Sequence, residues 1–389
     1  MIDFDYTLWY NNTNILRVKR DIVLSIIIKL GEEWRFKWIM INDVSIENFK
    51  TLKSIELTNL KRITLVSGRN NIGKSTFLEA IFLYMDHSAG ESFGKLNGLR
   101  GGYNNSAESL WGPLFYQMET NNAIQISIKD DENYGQLKYC RDNNYLPSTI
   151  NGLSEEVLAH FRMNTKEAYS LFYSYKENGY CEEGHFSFDG NSILRDMKTS
   201  LPGNELKPMK PTIYKASYRD YLYLVNELGN IELAGEKDIL IKALKEMEPS
   251  IDDILTISVK GIVQLYIKTN GKLMPIQYAG DGIIKVLGIC LSIMSRKNGI
   301  VLIDELENGL HYSMYGKLWR MLDHISKSSN CQVIATTHSY ELISSVRNSI
   351  KNMNDFCYYR IGKSKEETVS FRYDYSMLDA ALESEMEVR

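Results

Sequence analysis

Eight consecutive residues, Gly68-Arg69-Asn70-Asn71-Ile72-Gly73-Lys74-Ser75, set two glycines, a lysine and a hydroxyl in the pattern G-x-x-x-x-G-K-[ST]. Glycines let backbone N–H groups turn inward around phosphate oxygens, and a helix starting at the lysine adds the partial positive charge of its N-terminus. In such a loop Lys74 reaches the β- and γ-phosphates of a nucleoside triphosphate, and the Ser75 hydroxyl ligates Mg²⁺. A Gly-rich turn before any helix could show the same letters, so the context decides. Arg62 to Val66 reads as a buried strand and Lys74 to Met85 has helical periodicity, giving strand, loop and helix in the required order. Gly68, Arg69, Asn70, Asn71, Ile72, Gly73, Lys74, Ser75 and Thr76 are the expected nucleotide contacts, with ATP and Mg²⁺ as ligands.

Two further strand ends supply the remaining chemistry. Gly299 to Ile303 is an apolar run that ends in Asp304-Glu305. Asp304 is expected to hold Mg²⁺ through its water shell. Glu305, one residue on, points elsewhere and is expected to polarise the attacking water as general base. Cys331 to Thr336 is another strand, and it runs into Thr337-His338-Ser339. His338 stands where it can sense a γ-phosphate. A lone histidine at a strand end is usually structural; one that follows the other two motifs in this order is read as functional.

The elements that must position these residues are legible in outline. Ile39 to Phe49 and Ser54 to Thr58 read as strands around Lys50-Thr51-Leu52-Lys53, and Ala123 to Lys129 and Gly135 to Arg141 alternate as a hairpin. Residues 89–106, rich in Gly, Asn and Ser, read as loop. Glu155 to Tyr175 reads as helix and Leu201 to Pro211, with three prolines, as linker, so 150–212 is expected to be a helical insertion. Glu236 to Met247 reads as an amphipathic helix before strands near Leu255–Val259 and Val263–Lys268. In the last third, helices at Ile283–Met294, Tyr312–Ser326 and Tyr340–Arg347 alternate with the two motif-bearing strands, which implies a parallel sheet covered on both faces. No heptad or internal repeat is present.

Composition narrows the class. The chain has 389 residues, 44% hydrophobic and 24% charged, with a net charge of −4, so no overall basic field draws it onto DNA. A local basic groove stays open. The five cysteines form no C-x-x-C pair, which argues against a disulfide framework or zinc site and for a reducing, cytoplasmic setting. No apolar run is long enough for a membrane span, and Ile22–Leu30 is too short and too interrupted for a leader.

Taken together, the motif order resembles the ABC-type ATPases of the SMC, RecF and OLD group, AAA family ATPases in the broad sense. Asn48-Phe49-Lys50 and Leu52-Lys53-Ser54 resemble the opening of their first lobe. Tyr278-Ala279-Gly280-Asp281-Gly282, leading into Ile283 to Leu287, stands where they carry the signature motif, and Asp304 to His311 resembles the OLD-like DE-x-E-x-GLH segment. The resemblance implies an α/β P-loop NTPase of ABC-ATPase type, bilobed, with an antiparallel N-terminal lobe and a helical insertion. It divides the chain into an extension (1–37), a first half of the head (38–149), the insertion (150–212), a second half (213–375) and an acidic tail (376–389). It also implies a homodimer or higher homo-oligomer, in which Gly280, Asp281 and Gly282 close the other subunit's phosphate loop. Ala279 replaces the usual signature serine, which weakens that contact without removing it. Gln117 is the nearest candidate for a Q-loop glutamine, with an ordinary loop residue as the alternative.

Other features keep two readings each. Tyr214, Tyr218, Tyr221 and Tyr223, beside Lys215 and Arg219, suit helix packing or base stacking. Lys198, Lys207, Lys210 and Lys215 suit a solvated linker or a phosphate-tracking strip. Arg100 is a turn residue or a contact to nucleotide or partner. For the output, three readings compete, in this order: the ATPase subunit of a bacterial anti-phage defence system, a RecF-like DNA repair ATPase, and a P-loop kinase. After His338 the residues are expected to form a helix, two strands and an acidic tail around Asp379, Glu383, Glu385 and Glu387, too little for a Toprim nuclease. A separate effector, with a nuclease as the leading candidate, is therefore expected.

Overall fold

The computed structural model describes residues 40–87, 89–98, 106–143, 145, 170–188, 193–199, 212–215, 221–350, 352–365 and 367–384, with Met386 and Val388. The extension 1–37, the linker 201–211, Arg100, Tyr218, Arg219, Glu385 and Glu387 lie outside the described residues, as do the side chains of Tyr214 and Lys215.

Strands β1 (Asp43–Phe49), β2 (Leu52–Leu57) and β3 (Ile63–Gly68) lead into helix α1 (Lys74–Met85), followed by helices α2 (Glu91–Gly98) and α3 (Ala107–Trp111). Strands β4 (Ile124–Lys129), β5 (Tyr134–Asp142), β6 (Ser170–Glu177), β7 (Tyr180–Phe188), β8 (Ile193–Thr199) and β9 (Thr212–Lys215) come next. Helices α4 (Tyr221–Leu233) and α5 (Lys237–Met247) precede strands β10 (Ile251–Val259), β11 (Ile262–Thr269) and β12 (Lys272–Pro275). Helix α6 (Asp281–Met294), β13 (Ile300–Asp304), α7 (Tyr315–Ser328), β14 (Gln332–Thr336), α8 (Tyr340–Ser345), β15 (Phe356–Ser364), β16 (Glu367–Tyr373) and α9 (Tyr375–Glu383) complete the order.

The strands form three sheets. An antiparallel sheet runs β2-β1-β4-β5-β6-β7-β8, a small one runs β10-β11-β12, and a third runs β16-β15-β3-β14-β13-β9. In the third, β15, β3, β14, β13 and β9 are parallel and only β16 is reversed. Alternate residues of its strands enter different cores. Val66, Ile300, Leu302 and Ile334 pack with α1 and the antiparallel sheet, while Ile63, Val301, Ile303 and Val333 pack with α4 to α8. Both faces are covered, which is why these strands read as unbroken apolar runs. The order matters for chemistry. The phosphate-loop strand β3 and the carboxylate strand β13 are separated by one strand, β14, so the three motif-bearing ends lie side by side.

The helix expected over Glu155–Tyr175 is corrected at residues 170–175, while 155–169 lie outside the described residues. The insertion's described residues 170–188 and 193–199 are strands that continue the antiparallel sheet by pairing β5 to β6, β6 to β7 and β7 to β8. Leu171, Tyr173 and Tyr175 face inward at period two, and the turn Asn178-Gly179 is left-handed at both residues (φ 46° and 84°), the geometry of a tight hairpin. The expected loop at 89–106 holds helix α2. Phe93 and Leu96 bury there, with the Phe93 ring edge-on to Trp111, Tyr139 and Phe186, so packing overrides the weak helix propensity of Gly and Asn. The acidic tail contains α9, capped by Asp374, whose Oδ1 accepts the Met377 N–H at 2.9 Å. Leu378 and Ala381 are buried, and Asp379 and Glu383 both pair with Arg347.

Helix α1 is buried along its length except at Ser75. It is held from the antiparallel sheet through the β1–β2 turn. Lys50 Nζ donates to Glu79 Oε2 at 3.0 Å with both side chains almost wholly buried, and the Thr51 and Thr76 hydroxyls meet at 3.0 Å. Removing one partner of a buried ion pair strands the other charge, at a cost of about 3–5 kcal/mol. Lys50→Met is expected to lose stability on that scale in urea unfolding, and Lys50→Met with Glu79→Leu to recover most of it. A single variant with the parent's midpoint would show that the pair does not hold α1.

Candidate functional site

The phosphate loop depends on two backbone positions. Gly68 (φ +148°) runs so close to β15 that a Cβ would stand 2.4 Å from the Ile361 carbonyl oxygen. Gly73 (φ +109°) caps α1, and a Cβ there would stand 2.4 Å from Leu52 Cδ2. Between them Arg69, Asn70 and Asn71 are exposed at the mouth. Lys74 is buried and its Nζ donates to the carbonyls of Gly68 at 2.7 Å and Arg69 at 2.9 Å. Burial lowers its pKa, and the nearby charges of Asp304, Glu307 and Glu305 oppose that shift.

One carboxylate oxygen joins the three motif strands. Asp304 Oδ1 accepts from Ser75 Oγ at 3.0 Å and from Thr336 Oγ1 at 2.7 Å. A hydroxyl and a carboxylate on one spot are hard oxygen donors of the kind Mg²⁺ takes, which binds through one or two protein oxygens together with phosphates. Among the described residues no group of three or more His, Cys, Asp and Glu side chains is set to hold a metal by itself.

Glu305 leaves β13 in the left-handed region (φ +53°), which costs a non-glycine residue about 1–2 kcal/mol. Its N–H donates to Thr336 Oγ1 at 2.9 Å, and Asn308 Nδ2 donates to its Oε2. The other oxygen, Oε1, lies 3.4 Å from His338 Nε2. Glu307 Oε1 accepts the His338 backbone N–H at 2.6 Å. The loop after β13 and the tip of β14 are therefore locked together twice, side chain to side chain and side chain to backbone.

The structure thus gathers Gly68 to Thr76, Asp304, Glu305 and His338 at one end of the parallel sheet. The Gly280-Asp281-Gly282 turn stands at the start of α6. A Cβ on Gly280 would meet nothing within 4 Å, while one on Gly282 would lie 3.2 Å from the Gly309 carbonyl oxygen and from Leu310. Asp281 is exposed and Tyr278 is 79% exposed, so the turn presents an open surface. Gln117 does not join the site by its own hydrogen bond, which goes to Tyr116 Oη at 3.3 Å. Thr336 and Lys285 are the residues to which motif reading gave no role, while Glu307, the alternative base of that reading, is committed to the His338 N–H. Lys285 was detectable as the single basic residue of an otherwise apolar helix; Thr336 carried no signal beyond its place at a strand end.

The profile of the AAA ATPase domain matches residues 40–224 and 203–343, and the chain belongs to that family. It is 26% identical over 341 residues to an ATP/GTP phosphatase of Helicobacter pylori, covering 78% of this chain and 86% of that one. Among solved structures it is similar to the SMC head domain from Thermotoga maritima (9% identity, TM-score 0.42, covering 86% of this chain and 98% of that one). It is also similar to an SMC head bound to the C-terminal winged-helix domain of ScpA (12% identity, TM-score 0.47, covering 86% and 98%). The protein is an AAA-family ATPase built on a P-loop α/β domain.

Thr336 touches both Asp304 and the Glu305 backbone. Thr336→Val keeps the shape and removes both hydrogen bonds. It is expected to bind ATP within about threefold of the parent and to turn it over at least about tenfold more slowly, a rise of ~1.4 kcal/mol in the barrier. Parent-like steady-state turnover would show that the two carboxylates hold their places without it.

Proposed function

We propose that this ATPase is a nucleotide-gated homodimeric switch that works through a separate effector in a bacterial anti-phage defence system. The observation that carries the switch is the exposed Gly280–Asp281 turn, which starts the helix whose Lys285 is bonded to the loop of Glu305. In this reading Lys74 and the N–H groups of residues 68–76 bind the phosphates, and Ser75 with Asp304 holds Mg²⁺. Mg²⁺ supplies charge neutralisation between the phosphate oxygens when bound. Glu305 takes the proton of the attacking water, and His338, whose Nε2 lies 3.4 Å from Glu305 Oε1, reads the γ-phosphate. Gly280, Asp281 and Gly282 of one subunit close the phosphate loop of the other. The defence role is supported by the likeness of Asp304–His311 to the OLD-like segment, and the net charge of −4 disfavours the RecF-like, DNA-binding alternative.

Glu305→Gln should bind ATP yet hydrolyse it at least about a hundredfold more slowly, the loss expected for a general base, and should accumulate as an ATP-bound dimer in sedimentation. Adding Gly280→Arg to that variant should return it to monomer, because a side chain starts there into open space, with nothing within 4 Å of its Cβ. A dimer that persists would remove Gly280 from the interface.

The biological reading is tested by plating phage on cells that carry the gene with its neighbours. Plaque numbers should fall, and Lys74→Ala should restore them. No protection against any phage tried, together with salt-sensitive DNA binding by the purified protein, would move the assignment to DNA repair.

A further inference from the structure

Lys285 lies one turn inside α6 and is 4% exposed. Its Nζ donates to the Glu305 carbonyl at 2.9 Å and to the Asn308 carbonyl at 2.6 Å, two oxygens of the turn that follows β13. Burial pushes its pKa down to about 8, against the carboxylates of Glu307 and Glu305, which favour the charged form. A buried ammonium is expensive to keep, and an apolar side chain of the same length fills such a place at least as well. Packing by itself does not call for a lysine here.

The turn it holds does. Glu305 is left-handed, and a conformation of that kind persists where the surroundings over-determine it. Thr336 of β14 holds the Glu305 N–H, and Lys285 of α6 holds the Glu305 carbonyl, so both backbone groups of one residue are fixed from different elements. Glu307 lies in the same turn. Its Oε1 is committed to the His338 N–H, and its Oε2 is buried with no hydrogen-bond partner.

We propose that Lys285 is a positioning residue for hydrolysis, clamping the Glu305 and Asn308 carbonyls so that the left-handed turn holds the Glu305 carboxylate beside His338. The proposal rests on Glu305 being the base.

The test is a set of full-length variants measured for unfolding, affinity for a non-hydrolysable ATP analogue, and turnover. Lys285→Met should remain folded, with a lower melting temperature, and bind the analogue within about threefold, while kcat falls at least about tenfold. Lys285→Arg, which keeps donors on the carbonyls, should recover kcat to within about threefold of the parent. If the methionine variant is insoluble, Lys285→Gln carries the same expectation of lost kcat with retained binding. Turnover within twofold of the parent in Lys285→Met or Lys285→Gln, when Glu305→Gln is inactive, overturns the clamp. Parent-like turnover in Glu305→Gln overturns the base assignment, and the clamp falls with it.

Discussion

Asp304 Oδ1 accepts from Ser75 at the head of α1 and from Thr336 at the tip of β14, while Asp304 itself ends β13. That shared oxygen is the constraint on which the site depends. It needs the three elements to end at the same height within about 3 Å, the span of a hydrogen bond. The parallel sheet meets the requirement through its strand order, with β14 between β3 and β13 and their registers running Ile63 with Val333 and Val301 with Val333. Moving any of the three strands by one residue would turn the functional side chain to the other face. The geometry of the site is thus a property of the sheet and not of any one loop.

The supports of this junction come from both sides of the sheet. On the α1 side, Lys50 and Glu79 tie the helix to the antiparallel sheet, and Leu52 packs beneath Gly73. On the other side, Lys285 binds the 305–308 turn from α6, and Trp319 of α7 donates its indole N–H to the Leu342 carbonyl of α8 at 3.0 Å. Several of these contacts bury charge or hold left-handed backbone, which lowers stability in exchange for fixed geometry. Such costs gather where the phosphate loop and the carboxylates meet, which is where a site that must hold charged groups in place would put them.

The antiparallel sheet extends the first lobe further than motif reading implied. Its strands β6 to β8 carry a buried polar group of their own: Glu182 receives Arg195, Tyr173 and Tyr180, with His87 stacked on Tyr175 at 3.8 Å between ring centroids. His87 sits at the far end of α1, so the insertion packs against the same helix that begins at Lys74. Burial lowers the His87 pKa, against the Tyr84 carbonyl and the Glu182 carboxylate, which favour the charged ring.

Much of the site was legible in the residues, because short-range chemistry leaves short-range signals. A loop that wraps phosphate needs Gly68 and Gly73 at fixed spacing, and a buried parallel strand must be apolar up to the carboxylate that ends it, as in Ile300–Asp304. The fold class, the bounds of α1 and the alternation of the last third followed from the same local patterns. The rest was decided in three dimensions. Residues 170–175 read as helix until pairing with β5 and β7 imposed period two, and 91–98 read as loop until Phe93 found three aromatic partners. Asp379 and Glu383 read only as part of an acidic tail, yet both meet Arg347. The partners of Asp304 and the clamp on Glu305 join residues far apart in the chain, and no local pattern encodes a hydrogen bond closed only when separate strands and helices pack together.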